Sequence, residues 1–216
     1  MSIERKEIIS CPSCGKKSKF TMWDSLNADL DPEAKQKLIN GSLLIFRCKH
    51  CGDMREVFYP ILYHDMTHRV MIQLVGKDSV DKTIKMLDDI AEEYGLSRPG
   101  YQDRIVTSHI KLREKAALFD KGVDDRIAEA IKILALHSID KRAFDIYDYE
   151  TFLWIENDTC TIDYWGDDSF SLQMPFSAFE SISKELTYPL DNEFYRDYII
   201  DADWAIRYLG NSSLLF

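Results

Sequence analysis

The chain has 216 residues, of which 45% are hydrophobic and 12% aromatic, and its formal net charge is −10. This length and apolar content suit one large domain or two small ones with a packed core, and they exclude a disordered chain. No stretch reaches the roughly 18 consecutive apolar residues of a membrane span, and the N-terminus has no apolar signal-peptide core. We therefore expect a cytoplasmic protein that does not enter a membrane.

The negative charge is concentrated in the last third of the chain. Residues 143–216 contain 15 acidic and 3 basic side chains, whereas residues 1–142 contain 22 acidic and 24 basic ones. This break predicts two parts, residues 1–142 and residues 143–216. A net negative chain argues against general affinity for nucleic acid, which depends on Lys and Arg at phosphates.

Most predicted elements of the first part are strands up to about residue 75 and helices after it. The β-rich and apolar runs predict strands, and the runs with helical periodicity predict helices. Strands are predicted at residues 6–10, 18–24, 42–48, 55–65 and 69–75, and helices at residues 32–40, 79–95, 108–122 and 124–140, with Lys141 and Arg142 past the end of the last helix. The helix at 32–40 has Asp31 as N-cap and Gly41 just after its end, and Gly95 ends the next helix. Pro60 predicts an edge strand or a bulge within the run at 55–65.

The second part returns to strand periodicity and then ends in helices. Strands are predicted at residues 144–157, 160–165 and 169–176. Ser177 and Glu180 match a capping box, which predicts a helix from about residue 178, and a final helix is predicted at 194–210.

Four of the five cysteines form two matched pairs. The motifs are "CPSCG", with Cys11 and Cys14, and "CKHCG", with Cys48 and Cys51. Cytosolic thiols stay reduced, so paired cysteines there are metal ligands or redox groups more often than disulfides. Zn²⁺ takes four thiolates at tetrahedral corners, and the glycine after each pair permits the positive φ of a tight turn. We expect one structural Zn²⁺ in a closed site, and a thioredoxin-like redox pair remains the alternative.

Basic residues surround both cysteine pairs in the sequence. Four thiolates on one Zn²⁺ leave a net charge of −2, and the nearby cations are able to compensate it. These cations are Lys16, Lys17, Lys19, Arg47, Lys49 and Arg55. We favour compensation over nucleic-acid binding as their role. The predicted class is α+β: an N-terminal four-cysteine zinc ribbon with an antiparallel sheet, a helical middle, and a small β-then-α C-terminal unit.

Several segments resemble the CpXC family of bacterial and archaeal proteins. They are "CPSCG", "TMWDSLNADLDPE", "LINGSLLIFRCKHCG" and "YPILYHDM". The clear resemblance spans about residues 8–75, and the usual family length implies an extension to about residue 135. The second pair departs from the family motif because it lacks the proline, which changes no ligand. The family is of uncharacterised function, so the resemblance implies the zinc ribbon and supplies no reaction.

A second polar group occurs in "YHDMTH", which contains His64, Asp65 and His68. Two imidazoles and a carboxylate are able to bind a metal, or to form a base with its orienting acid. The structural alternative is a solvated turn between two strands. No nucleophile elbow or phosphate loop accompanies the group, so a hydrolase-type enzyme with this site stays a second hypothesis.

The remaining candidate residues have weaker signals. His50 lies inside the second cysteine motif, where four sulfurs already satisfy a metal, and His109 and His137 lie at helix ends without an evident role. Cys160 is expected to be a small buried strand residue, because its acidic neighbours disfavour a thiolate.

The acidic third interleaves carboxylates with aromatic residues. The acids are Asp163, Asp167, Asp168, Asp191, Glu193, Asp197, Asp201 and Asp203. A solvated face over an aromatic core explains them, and no EF-hand spacing is present. Acidic and aromatic composition also suits recognition of a basic protein partner. The sequence thus predicts a zinc-binding interaction scaffold, with an enzyme and a nucleic-acid-binding ribbon as the alternatives.

Overall fold

The computed structural model describes residues 1–93, 100–139, 145–190 and 197–211. The chain divides into two compact units, Met1–Ala116 and Ala117–Phe216. Both units combine helices with sheets, which confirms the predicted α+β class. The predicted boundary between residues 142 and 143 lies outside the described residues and stays a prediction.

The N-terminal unit contains a five-stranded sheet and a separate two-stranded hairpin. The strands are β1 (Ile3–Ser10), β2 (Lys17–Asn27), β3 (Ile45–Arg47), β4 (Met54–Glu56), β5 (Ile61–Asp65), β6 (Val70–Leu74) and β7 (Gln102–Val106). The large sheet has the order β1-β2-β5-β6-β7, and β3 pairs with β4. Each predicted N-terminal strand has a counterpart here. β7 was not foreseen, because "QDRIV" has two charges in five residues.

The large sheet mixes two kinds of pairing. β1–β2 and β5–β6 are antiparallel, as predicted, while β2–β5 and β6–β7 are parallel. A parallel neighbour requires a crossover connection, and the helix α2 (Val80–Glu93) lies in the chain between β6 and β7. The other helices that begin in this unit are α1 (Pro32–Ile39) and α3 (His109–Asp120). The end predicted for α2 at Gly95 lies outside the described residues.

The run at residues 55–65 is divided rather than continuous. β4 ends at Glu56 and β5 begins at Ile61, with Pro60 in the unpaired segment between them. Pro60 was expected to mark an edge strand or a bulge, but β5 is an interior strand of the sheet. The proline ends one pairing and precedes another, because it has no N–H to donate to a ladder.

The hydrophobic core of the N-terminal unit connects the separate hairpin to the large sheet. Phe20 on β2 makes edge-to-face contacts with Phe46 on β3, at 6.1 Å, and with Tyr59, at 6.3 Å. All three side chains are at most 9% exposed. Aromatic pairs of this geometry stabilise by about 1 kcal/mol beyond their buried area, so they hold the two hairpins together.

The C-terminal unit has a three-stranded antiparallel sheet and three helices of its own. Its elements are α4 (Asp125–Ile139), β8 (Glu150–Glu156), β9 (Thr159–Trp165), β10 (Phe170–Pro175), α5 (Phe176–Leu190) and α6 (Ala202–Asn211). β9 lies between β10 and β8. Asn157 and Asp158 form the turn between β8 and β9 with φ of 46° and 61°, the left-handed conformation that a two-residue hairpin requires.

One buried cluster includes residues from every C-terminal element except β10, whose apolar residues Phe170, Leu172 and Met174 are partly buried and pack against it. Ile131 on α4 and Ile162 on β9 are at most 1% exposed, and Trp204 on α6 is 2% exposed. Helix α4 therefore packs in the same core as the sheet that follows it in the chain.

The last two helices are both present, and local capping accounts for the start of α6. α5 begins at Phe176, within two residues of the predicted start, but Ser177 lies inside the helix, so the predicted capping box is wrong. α6 was predicted to begin near residue 194, and residues 191–196 lie outside the described part. Residues 197–200 are not helical, and α6 begins at Ala202 because the Asp201 carboxylate accepts a hydrogen bond from the Trp204 amide at 3.0 Å. No helix among the described residues is both long and apolar enough to span a bilayer.

Gly41 ends helix α1, as predicted, and a side-chain contact adds a second constraint there. Its φ is +82°, and a Cβ at this position would lie 2.7 Å from Cζ of Arg113. The Arg113 guanidinium donates two hydrogen bonds of 3.4 Å to the Ile39 carbonyl at the end of α1. A side chain at position 41 would therefore be strained and would displace Arg113 from the helix end.

We predict that Gly41→Ala lowers the free energy of unfolding by about 2 kcal/mol, in part from the left-handed backbone and in part from the displaced Arg113. Gly122→Ala is the matched control, because φ there is +69° and no atom lies within 4 Å of the added Cβ. The control should cost about 1 kcal/mol in urea unfolding. Equal losses in the two variants would contradict the role of Arg113.

Candidate metal centre

Two short turns, here called knuckles, carry the four cysteines. The first knuckle, residues 11–15, connects β1 to β2, and the second, residues 48–52, connects β3 to β4. In the first, the Cys11 amide donates to the Lys16 carbonyl at 3.0 Å and the Gly15 amide donates to the Cys11 carbonyl at 2.8 Å. The second repeats this pattern, with the Cys48 amide bonded to the Asp53 carbonyl and the Gly52 amide to the Cys48 carbonyl. The knuckles therefore share one backbone design.

A glycine closes each knuckle for a conformational reason. Gly15 has a φ of +70° and Gly52 a φ of +77°, in the left-handed region that favours glycine. No atom lies within 4 Å of a Cβ built at either position. The turn itself, and not crowding, requires these two glycines, as the sequence predicted.

The knuckles bring all four sulfurs into one cluster. The Cys11 and Cys51 sulfurs are 3.6 Å apart, and the Cys14 and Cys48 sulfurs are 3.7 Å apart. All four Sγ atoms lie within 4.8 Å of one another. Tetrahedral Zn²⁺ with Zn–S bonds of about 2.3 Å places its sulfurs about 3.8 Å apart, so the donor set fits this ion in number, type and spacing.

Hydrogen-bond donors surround the Cys48 sulfur. The His50 amide lies 3.4 Å from Cys48 Sγ, and the Ser18 hydroxyl lies 3.8 Å from it. The Lys49 amide in turn donates to the Ser18 oxygen at 3.2 Å. The His50 amide, together with weaker donors, lowers the pKa of the Cys48 thiol to about 6, which favours the thiolate that a metal binds.

The pKa of Cys51 moves in the opposite direction to that of Cys48. The Asp53 amide lowers the pKa of Cys51, but burial and the three other sulfurs outweigh it and raise this pKa to about 12. Neighbouring sulfurs compete for the same protons, so one thiolate disfavours the next. A cation at the centre removes this conflict, because it attracts every thiolate at once.

The basic residues near the cysteines in sequence do not all lie near the sulfurs in space. Arg55 donates to Asp53 at 2.9 Å and to the Ser13 hydroxyl at 3.3 Å, and Asp53 lies 3.8 Å from the Cys11 sulfur. Arg55 therefore compensates Asp53 as well as the cluster. Lys17 and Lys19 flank Ser18 on β2, so strand alternation directs them to the face away from Cys48.

His50 has a structural position in the second knuckle. Its Nε2 lies 3.2 Å from the carbonyl of Lys17, on the opposite hairpin. The ring therefore links the two hairpins, which suits four sulfurs as the complete ligand set.

The second predicted group, at residues 64–68, is divided between two faces of the sheet. His64 and Asp65 are adjacent on β5 and therefore point in opposite directions. His64 Nε2 lies 3.0 Å from the Tyr101 hydroxyl, whereas Asp65 Oδ2 lies 2.9 Å from Nδ1 of His68. The structure thus pairs Asp65 with His68 and gives His64 a different partner.

Asp65 organises the turn that follows it. Its carboxylate accepts hydrogen bonds from the His68 amide at 2.9 Å, the Lys35 ammonium at 3.1 Å and the Tyr63 hydroxyl at 3.2 Å. Burial alone would raise its pKa, but the contacts with His68 and Lys35 outweigh burial and lower the pKa to about 2. Lys35 was missed from the sequence, because its approach depends on how α1 packs on the sheet. Tyr63 was also missed, although it is two residues from Asp65 on β5 and strand alternation places it on the same face.

The contacts of the other candidate residues, His109, His137 and Cys160, are those of structural residues. His109 pairs with Glu56 across the N-terminal unit, and His137 Nδ1 lies 3.0 Å from the Ile133 carbonyl one turn earlier. Cys160 is fully buried in the C-terminal core, as expected, and burial raises its pKa to about 12. A thiol in this environment is inert.

Several predicted acidic residues bond to aromatic side chains inside the C-terminal unit. Asp163 accepts from the Trp154 indole at 3.0 Å, and Asp197 accepts from the Trp204 indole at 2.7 Å. Asp203 accepts from the Tyr147 hydroxyl at 2.5 Å. Asp167 and Asp168 are exposed in the turn after β9, and Asp191 and Glu193 lie outside the described residues. Part of the acidic and aromatic pattern is therefore internal structure.

Matched knuckles and a close four-sulfur cluster define a class of protein with a cysteine site suited to a metal. A comparison with protein-family models matches residues 9–132 to the family described as CpXC protein. The match covers more than half of the chain, so the chain belongs to the CpXC family. It includes both knuckles and ends within α4. No curated protein and no solved structure matched the chain.

The Asp65 contacts predict how stability depends on pH. Because the folded pKa of Asp65 is below its ordinary value of 3.8, its contribution is present above about pH 4 and is lost as the pH falls towards 2. This contribution is about 2 kcal/mol, and Asp65→Asn should cost about 3 kcal/mol because the half-buried Lys35 ammonium then loses the charge of the carboxylate beside it.

Urea unfolding at several pH values tests both statements. Asp24→Asn is the matched control, because Asp24 pairs with Arg5 at the exposed surface, with 48% of its side chain accessible. This control should change stability by less than about 1 kcal/mol. A variant at position 65 that is as stable as the control, or that keeps the full acid dependence, would contradict the assignment.

Proposed function

We propose that the four cysteines hold one Zn²⁺ in a closed structural site, and that the chain serves as a protein-interaction scaffold. The observation that carries the metal assignment is the approach of four sulfurs from two matched knuckles to within 4.8 Å. Four protein thiolates fill every tetrahedral position of Zn²⁺, so no position remains for water or substrate. Such a site stabilises a fold and does not catalyse a reaction.

The proposed ion acts on the weakest part of the N-terminal unit. β3 and β4 have three residues each, and isolated hairpins are marginally stable even when they are longer. Cross-linking their knuckle to the one between β1 and β2 fixes the short hairpin to the large sheet. Metal-binding free energy becomes folding free energy in such sites, because the unfolded chain has no preformed cluster.

No observation favours the two alternative functions. Asp65 is engaged by Lys35, Tyr63 and His68 as the centre of a turn, and His64 lies on the opposite face. This arrangement suits a structural carboxylate better than a hydrolase site. For nucleic acid, the first 116 residues contain 17 acidic and 19 basic side chains, which gives no general basic excess.

The acidic C-terminal third supports the scaffold part of the proposal through its exposed side chains. Tyr147 is 63% exposed and Trp165 is 41% exposed, and Asp167 and Asp168 follow Trp165 in an exposed turn. Exposed aromatic residues beside carboxylates suit a basic protein segment, which gains both ring contacts and charge pairing.

Elemental analysis of the purified protein tests the metal assignment, with about one zinc per chain expected from four thiolate ligands. Cys14→Ser should lose the zinc and lower the thermal stability of the N-terminal unit. Cys160→Ala is the matched control, because it removes a cysteine from outside the cluster and should keep the zinc. A zinc-free wild type, or a Cys14 variant that binds zinc like the control, would refute the site.

The partner surface is tested with a fluorescent peptide of alternating lysine and leucine. Asp167→Asn with Asp168→Asn should weaken its binding, since two exposed charges beside Trp165 are removed. The matched control removes two exposed charges elsewhere, with Glu92→Gln and Glu93→Gln on α2. Equal weakening in the two double variants would mean that the peptide responds to net charge alone, and the surface would be rejected.

A further inference from the structure

The two faces of the β1–β2 hairpin have different compositions. Ser18, Phe20 and Met22 are buried on the inner face. The outer face carries their neighbours Lys17 and Lys19, because side chains alternate along a strand. In the antiparallel register Lys6 is opposite Thr21 and Ile8 is opposite Lys19, so Lys6 and Ile8 share the outer face. Lys6, Ile8, Lys17 and Lys19 are here called the lysine face.

The lysines of the lysine face form no ion pairs within the described part of the chain. Lys6, Lys17 and Lys19 are exposed, and none forms an ion pair or side-chain hydrogen bond within the described part of the chain. They cannot serve the sulfur cluster through Ser18, which lies on the opposite face. Glu4 is the acid on the same side, and it lies at the end of the hairpin away from the knuckles. Three cations therefore stand together on a chain whose net charge is −10.

An apolar side chain lies among these cations. Ile8 is 64% exposed and is opposite Lys19, two residues from Lys6 on the same strand. A single exposed isoleucine is common on a protein surface. Here Ile8 offers a ligand an apolar contact, and the unpaired lysines around it offer the same ligand positive charge.

β1 also presents an open edge. It ends the order of the five-stranded sheet, and among the described residues β2 alone pairs with it. Its eight residues make it the second longest strand of that sheet, and six of them are exposed. Such an edge has outward N–H and C=O groups, and an extended chain is able to pair with them.

From this combination we infer that the N-terminal unit binds an extended acidic peptide segment, which adds to β1 as a further strand. The edge supplies backbone hydrogen bonds, and Lys6, Lys17 and Lys19 attract carboxylates on alternate positions of the added strand. Ile8 contacts an apolar side chain on the same face. This surface is distinct from the acidic C-terminal third. It would bind an acidic partner, whereas the C-terminal third is proposed to bind a basic one.

A polypeptide fits these features better than a nucleic acid does. Backbone pairing at the edge requires peptide N–H and C=O groups. Binding of single strands depends on exposed aromatic rings for stacking, and the outer face offers one half-buried ring, Trp23, opposite Glu4 at the far end. The charges would attract either polyanion, so the experiment must separate the two.

The probe is a fluorescein-labelled peptide of alternating glutamate and valine, of the same eight-residue length as β1. Fluorescence anisotropy should detect saturable binding that weakens when salt is raised from about 0.05 to about 0.3 M. Replacing Lys6, Lys17 and Lys19 together by Gln should raise Kd roughly tenfold, from the loss of three exposed ion pairs. The matched control replaces the exposed Lys77, Lys82 and Lys85 by Gln and should leave Kd within about twofold.

A second peptide tests strand addition directly. N-methylation of alternate residues removes the donors that face β1 without changing any charge, and it should abolish binding. Equal binding of the methylated peptide, or equal loss in the two lysine variants, would overturn the inference. Tighter binding of an oligothymidylate, lost in the Lys6/Lys17/Lys19 variant, would overturn it in favour of nucleic acid. Failure of the glutamate–valine peptide to bind a chain with its normal zinc content and thermal stability would also overturn it.

Discussion

The approach of four cysteine sulfurs is the constraint on which the N-terminal unit depends. Cys14 and Cys48 are separated by 33 residues, yet their sulfurs are 3.7 Å apart. Closely spaced thiolates disfavour one another, as the raised pKa of Cys51 indicates, so the cluster suits the cation that we propose for it. The Phe20–Phe46 contact supports the same approach from the apolar side, and together they position a hairpin too short to fold alone.

Strand alternation separates functions that are adjacent in sequence. Lys17, Ser18 and Lys19 are consecutive, but Ser18 contacts the Cys48 sulfur while both lysines face solvent. The same alternation separates His64 from Asp65. Residues that are neighbours in sequence therefore need not act together. Lys17 and Lys19 were assigned to charge compensation at the cysteines because they are close in sequence, but they lie on the lysine face.

Some of the acidic and aromatic side chains of the C-terminal unit bond to one another within that unit. Trp154 and Trp204 each donate the indole N–H to an aspartate, and the Tyr147 hydroxyl bonds to Asp203. The buried Trp204 and the half-buried Trp154 need such acceptors, because an unpaired polar atom is costly to bury. The exposed carboxylates that remain, such as Asp167 and Asp168, are the ones available to a partner.

The sequence by itself determined the four-cysteine cluster, the glycines that close both knuckles, the α+β class and the family. These features depend on spacing and backbone conformation, which are local. Tertiary structure alone decided the parallel pairings, the pairing of β7 and the contact of Lys35 with the Asp65 carboxylate. Each of these depends on which distant segments pack together, and short-range periodicity carries no information about that choice.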